Sequence, residues 1–269
     1  MKGEAMPQGI RLAFADDFDG PDLDLAVWVP HYLPTWSSRA ATRATYTVQD
    51  SCLRLRIPPE QGLWCEGVHE PPLRVSAIQS GNFSGPVGST IGQQPVVPGA
   101  VVREEQSAHW GWTPTGGYLE MRARAVVSPR SMVAFWLVGL EDRPDRCAEI
   151  CVAEMFGDAL TRPAPGKPAS IGVGAGVHAF RDPRVREDFA VVRVEADIAE
   201  FHDYAVDWTA DAVSFFVDGR PIRSVAQSPG YPMQAMIGVF DFPDRAAEAD
   251  DPDAVPELVI DHVRGYERE

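Results

Sequence analysis

Short runs of alternating or continuous apolar residues, cut by turn residues, fill this chain from end to end. Thr45-Tyr46-Thr47-Val48 and Cys52 to Ile57 flank a Gln49-Asp50-Ser51 turn and read as a hairpin, its second strand alternating apolar and basic positions. Tyr118 to Ala125 alternates cleanly, which predicts one wet and one buried face. Met132 to Leu140 is apolar throughout, with Trp136 inside it, and suits a strand covered on both sides. A charged loop, Glu141 to Arg146, leads into a further strand at Cys147 to Phe156. Val213 to Val217 and Arg220 to Ile222 flank Asp218-Gly219, a two-residue hairpin turn. Leu258 to Tyr266 supplies the last strand. Amphipathic helices are scarce and no repeat recurs. Many strands and long loops, without a helix between each pair, predict an all-β fold, an antiparallel β-sandwich.

Two segments break the rhythm. Gly81 to Gly99 is rich in Gly, Pro and Ser, and an aperiodic loop of that length is usually functional or disordered. Arg245 to Val255, with Glu248, Asp250, Asp251 and Asp253, reads as a solvated acidic loop.

Composition narrows the partners. A chain of 269 residues that is 45% hydrophobic suffices for one substantial core, and sandwiches of this size are often single domains. Lys+Arg 24 against Asp+Glu 39 leaves a net charge of −15, which disfavours nucleic acid and other polyanions and suits neutral polymers. No apolar run has the length of a membrane span. Met1 to Pro7 lacks the apolar stretch of a signal peptide, which implies a cytoplasmic protein unless a leader has been removed. Cys52, Cys65, Cys147 and Cys151 fit neither a zinc pattern nor a dense disulfide framework. On one strand Cys147 and Cys151 would lie about 13 Å apart, too far to bridge. Cys52 and Cys65 could pair across a hairpin, but free buried thiols are the favoured reading. Gly172 to Val177 has Val where a dinucleotide loop needs its last Gly, and no helix follows. Asn82-Phe83-Ser84 is a glycosylation sequon of a kind expected by chance.

Candidate chemistry centres on Glu149-Ile150-Cys151-Val152-Ala153-Glu154. Retaining glycoside hydrolysis uses two carboxyl groups about 5–5.5 Å apart, one as nucleophile and one as acid/base. In a regular strand positions 149 and 151 share a face while 154 points away. One extra residue near Val152 or Ala153, a β-bulge, returns Glu154 to the face of Glu149.

Motifs along the chain resemble glycoside hydrolase family 16, the laminarinase- and lichenase-like enzymes. Phe14 to Gly20 with Leu23-Asp24 and Trp28 resembles the family's opening D-[DE]-F and L-D-x(3)-W; Gly117 to Arg122 resembles its G-x-[YF]-E-x-R strand, with Leu119 as an extra residue. Ala134 to Leu137 resembles the strand before the active-site strand; Phe201 to Thr209 with Val217-Asp218-Gly219, and Ile260 to Arg264, resemble later segments. The resemblance spans about residues 12–267 and implies one domain, 1–269, with a concanavalin A-like jelly roll. It also implies Glu149 as nucleophile and Glu154 as acid/base of the bulged motif E-[IL]-D-x-x-E. Cys151 stands where the family has its middle aspartate, which is thought to hold the nucleophile's orientation and protonation. A thiol is a weak donor and neutral near pH 7. Relative to the aspartate it removes a hydrogen bond and a negative charge, and the second loss lowers the pKa of Glu149.

The candidate catalytic set is therefore Glu149, Glu154 and Cys151, the last read as a passive buried thiol. Trp136, Trp110 and Trp112 are candidates for stacking on sugar rings, with a core role as competitor for Trp136. His178 is implied to face the cleft near the acid/base, while His202 reads as structural. The resemblance suggests a structural calcium beside Asp261, though one carboxylate is little support; the chemistry needs no cofactor. The expected function is a retaining endo-glycosidase on a β-glucan-like polymer with β-1,3 or mixed β-1,3/1,4 linkages, acting as a monomer on polysaccharide or oligosaccharide. The rivals on the same fold are a catalytically degenerate carbohydrate-binding protein and a transglycosylase.

Overall fold

A computed structural model describes residues 9–245 and 254–269. Most of the acidic Arg245 to Val255 loop lies outside the described residues. The strands run β1 (Ile10–Asp16), β2 (Tyr46–Gln49), β3 (Cys52–Arg56), β4 (Arg74–Gln79), β5 (Gly81–Asn82), β6 (His109–Trp110), β7 (Gly117–Val126) and β8 (Ser131–Gly139). They continue through β9 (Glu149–Phe156), β10 (Ile171–His178), β11 (Asp188–Val194), β12 (His202–Trp208), β13 (Val213–Val217), β14 (Arg220–Val225), β15 (Met233–Asp241) and β16 (Glu257–Arg268). The helical elements among the described residues are three short 3-10 turns. No helix among them is long and apolar enough to cross a membrane.

Two antiparallel sheets form the sandwich. The larger has the order β14-β13-β12-β7-β16-β3-β2, with β1 on the free edge of β16; the smaller is β11-β10-β9-β8-β15-β4. β7 holds the larger sheet together because its alternation buries Leu119, Met121, Ala123 and Ala125 against the smaller sheet. β8 is apolar on both faces because both are covered. Val133, Phe135 and Leu137 enter the core between the sheets, while Met132, Ala134, Trp136 and Val138 join a second cluster with Leu33, Trp36, Trp64 and Phe240 beneath the loops. That second cluster floors a cleft on the outer face of the smaller sheet.

The recognisable motifs act as fasteners. Asp16 accepts the Trp28 indole N–H at 2.8 Å and the Phe18 amide at 2.9 Å, which ties the end of β1 to the fully buried Trp28. Asp218 and Gly219 both adopt positive φ, the backbone that a two-residue hairpin turn requires. The Asp218 carboxylate then takes His202 Nδ1 at 2.8 Å while His202 Nε2 meets the Asp197 carbonyl at 2.9 Å, a structural role for this histidine. All four cysteines are free and buried. The sequon residue Asn82 is fully buried in β5 and donates to Gln106, so glycosylation there would require unfolding. Asp261 sits at a bulge in β16, with His262 Nδ1 at 2.7 Å and the Arg122 guanidinium at 3.9 Å. Cationic neighbours are the wrong donor set for calcium, and no cluster of three metal-binding side chains gathers among the described residues.

Candidate active site

β9 starts at Glu149, two residues after the start expected from the apolar run, and Cys147 stays in the preceding loop, where its sulfur accepts the Arg181 amide at 3.3 Å. The bulge falls where parity demands it. Against β8, Trp136 pairs with Cys151 and Phe135 with Ala153, so Val152 is the extra residue; against β10, Gly176 pairs with Cys151 and Gly174 with Glu154. Val152 and Ala153 both turn into the core. Opposed residues share a face, so Glu149, Cys151 and Glu154 align with Val138, Trp136 and Ala134 on the cleft side.

The cleft, about 280 Å³, is lined by all three of these residues with Trp136, Tyr32, Gln94 and the rings of Phe156, Phe240 and Phe242. Trp136 is only 5% exposed and serves core and cleft floor at once, with Phe240 at 5.8 Å and Tyr32 edge-on at 6.4 Å. Beside Glu154, β10 presents glycine on the cleft face. A Cβ on Gly174 would lie 2.6 Å from the Phe189 ring, so its absence lets that ring lie down next to the acid/base candidate. His178 pairs with Glu149 across the strands, stacks on Phe189 at 4.6 Å and meets Glu187 Oε1 through Nδ1 at 2.5 Å.

The electrostatics follow from burial. Loss of water and then the Glu154 charge push Glu149 up to about 8, against the pull of one hydrogen bond from Gln94 Nε2 to Oε2 at 2.9 Å. Burial also raises Glu154, with His178 and Arg245 drawing it back. Dehydration is the largest influence on Glu149. Burial, Glu149 and Glu154 together push the Cys151 thiol well above its ordinary value, and its hydrogen bond runs to the Gly174 carbonyl at 3.7 Å. That thiol is neutral and inert.

Two of the aromatic candidates stand apart from this cleft. Trp112 stacks on Phe14 at 4.2 Å and lines a separate depression beside β16. Trp110, 45% exposed, lies in the β5–β6 ribbon and outside the cleft lining. Sequence reasoning missed Gln94, Tyr32, Phe240, Phe242 and Arg245. Of these only Gln94 carried a signal, its place inside the long Gly81 to Gly99 loop.

Comparison with known proteins agrees with this architecture. A family profile described as glycosyl hydrolases family 16 matches residues 113–250. A Crh-like protein of Arthroderma benhamiae is 44% identical over 45 residues, 14% of this chain and 10% of that protein, so the chain matches only a small part of that relative's length. A GlcNAcα1-4Gal-releasing endo-β-galactosidase from Clostridium perfringens superposes with a TM-score of 0.78 at 24% identity, over 98% of this chain and 65% of that one. The catalytic domain of an endo-1,3-β-glucanase (laminarinase) from Thermotoga petrophila RKU-1 does so with a TM-score of 0.66 at 16% identity, over 97% and 98%. At these identities the structural likenesses establish the fold.

Proposed function

From the premise that the chain belongs to family 16 of the glycosyl hydrolases, we propose that it is a retaining endo-glycosidase acting on a β-glucan-like polysaccharide with β-1,3 or mixed β-1,3/1,4 linkages. The observation that carries this reading is the Val152 bulge, which puts two half-buried carboxyls on one face of a cleft floored by Trp136. Glu149, ionised, attacks the anomeric carbon while the bond to the leaving sugar breaks and Glu154 gives its proton to the leaving oxygen. Glu154 then takes a proton from the water that displaces Glu149 from the glycosyl-enzyme ester. Burial raises both carboxyls, Glu149 to about 8, and the working form in this reading is the pair sharing a single proton, carried by Glu154 when Glu149 attacks.

Release of reducing ends from laminarin, lichenan, agarose and xyloglucan, with Glu149→Gln as control, tests the reading. A GlcNAcα1-4Gal-capped β-galactan belongs on the same panel because one structural neighbour is named for that activity. Activity on a β-glucan that the variant lacks supports the reading. Binding without hydrolysis on every substrate would overturn it in favour of a carbohydrate-binding protein. Products longer than the starting oligosaccharide, seen by mass spectrometry, would instead mark a transglycosylase, with a sugar hydroxyl replacing water in the second step.

A further inference from the structure

Among the described residues, Gln94 is the one whose side chain hydrogen-bonds either candidate catalytic carboxyl, and it comes from a loop on the opposite wall. Taking Glu149 as the nucleophile, as above, we propose that Gln94 is its positioning residue, fixing the carboxylate's orientation and favouring its ionised form. Cys151, nearest on the strand, does neither, because its thiol is turned toward the Gly174 carbonyl.

The loop is built to hold this one amide in place. Gln94 has φ +42 immediately before Pro95, a left-handed backbone that a non-glycine residue adopts only when its surroundings enforce it. Its amide N–H donates to Glu141 Oε1 at 2.7 Å, and the other oxygen of that buried carboxylate is gripped by Arg181. The preceding residue is fastened from behind, with Trp36 Nε1 donating to the Gln93 carbonyl at 2.7 Å and the Phe83 amide donating to Gln93 Oε1 at 3.1 Å. Gln94 Oε1 has no protein partner, so the nucleophile is the side chain's sole engagement.

The other groups around Glu149 do not substitute for it. Glu154 on its own strand opposes its ionisation, Glu187 adds a further negative charge from behind His178, and the neutral Cys151 thiol offers no bond to it. Tyr32, held neutral by burial, and His69 line the cleft from the loops. Arg245 and His178 act on Glu154, and Arg181 is spent on Glu141. Gln94 is left as the group that steadies the carboxylate.

Gln94→Met keeps the length of the side chain and removes the donor. We expect kcat to fall about 10- to 100-fold with KM little changed, the size of a lost hydrogen bond to a charge. The Glu149 titration, followed by NMR of ¹³C-labelled glutamate carboxyls in the protein without substrate, moves upward from about 8. Gln94→Asn, an amide suited to left-handed backbone but one methylene short, falls between. Adding Cys151→Asp to Gln94→Met recovers part of the lost kcat, because a carboxyl set between Glu149 and Glu154 holds a proton against their charge and, in that protonated form, donates to Glu149 from the strand. An unmoved Glu149 titration in Gln94→Met overturns the proposal whether or not the protein hydrolyses anything, and so does a kcat loss that Cys151→Asp fails to relieve. Absence of hydrolysis by the unaltered protein, with the titration shifted in the variant, would count against the glycosidase reading and leave the Gln94–Glu149 coupling standing.

Discussion

The larger sheet and the cleft of the smaller sheet carry their acids in opposite ways. On the larger sheet acids meet partners: Arg122 with Asp203 at 3.1 Å, Arg264 with Asp17 at 2.6 Å, His202 with Asp218 at 2.8 Å, and Arg268 with Asp207. On the smaller sheet Asp241 is likewise paired, with Arg130 at 2.8 Å and Arg74 at 3.5 Å, but in the aromatic cleft no basic group among the described residues lies within ion-pair distance of Glu149 or Glu154. Paired surface charges contribute little to stability. Unpaired carboxyls in a dry cleft are costly to the fold, and such perturbed groups cluster where chemistry is done. The contrast marks the cleft face of the smaller sheet as the candidate site.

Removing one of the unpaired acids has the largest expected effect. Glu149→Gln should lower kcat by about 10⁴-fold or more without loss of fold, measured by reducing-end release and circular dichroism. It should also change the pH dependence of stability. The folded value of about 8 lies above the ordinary 4.5, so the unfolded chain loses this proton first and the protein loses stability as pH rises from 4.5 to 8. Glu149→Gln has no such ionisation, so its melting temperature relative to the unaltered protein should rise between pH 5 and pH 8.

Next in size is the pH profile of kcat/KM. The singly protonated pair should give a bell whose alkaline limb falls near pH 8, losing about tenfold per unit beyond it, and whose acid limb lies above the ordinary carboxylate range. An alkaline limb that stays flat past pH 9 would mean the pair does not share its proton as described. A smaller change is expected from Cys151→Ser, which should keep activity within about tenfold, because the thiol is neutral and bonds only the Gly174 carbonyl. The smallest belongs to the paired face. Arg264→Ala breaks a half-exposed ion pair and should cost at most about 1 kcal/mol in denaturant melts, with unchanged kcat.

Much of this was legible in the chain because local rules and tertiary packing agree. The unbroken apolar run in β8 announced a strand covered on both faces, and the five-residue step between Glu149 and Glu154 demanded a bulge that Val152 supplies. Cleft walls obey no such period. Gln94 lies 55 residues before the carboxyl it touches, on a loop whose conformation is set by Trp36, Pro95 and Glu141 rather than by alternation. Trp112 shows the complementary limit. Its indole has the right chemistry for a sugar platform, but the short β1 strand offers Phe14 as a stacking partner, and composition alone does not reveal that.

If the two carboxyls of one face act as nucleophile and acid/base, the stereochemistry of the first product shows it most directly. Proton NMR during the earliest turnover of a β-glucan oligosaccharide should show the β-anomer of the new reducing end appearing first, followed by slow mutarotation. An α-anomer appearing first, or no product while Glu149→Gln behaves identically, would contradict it.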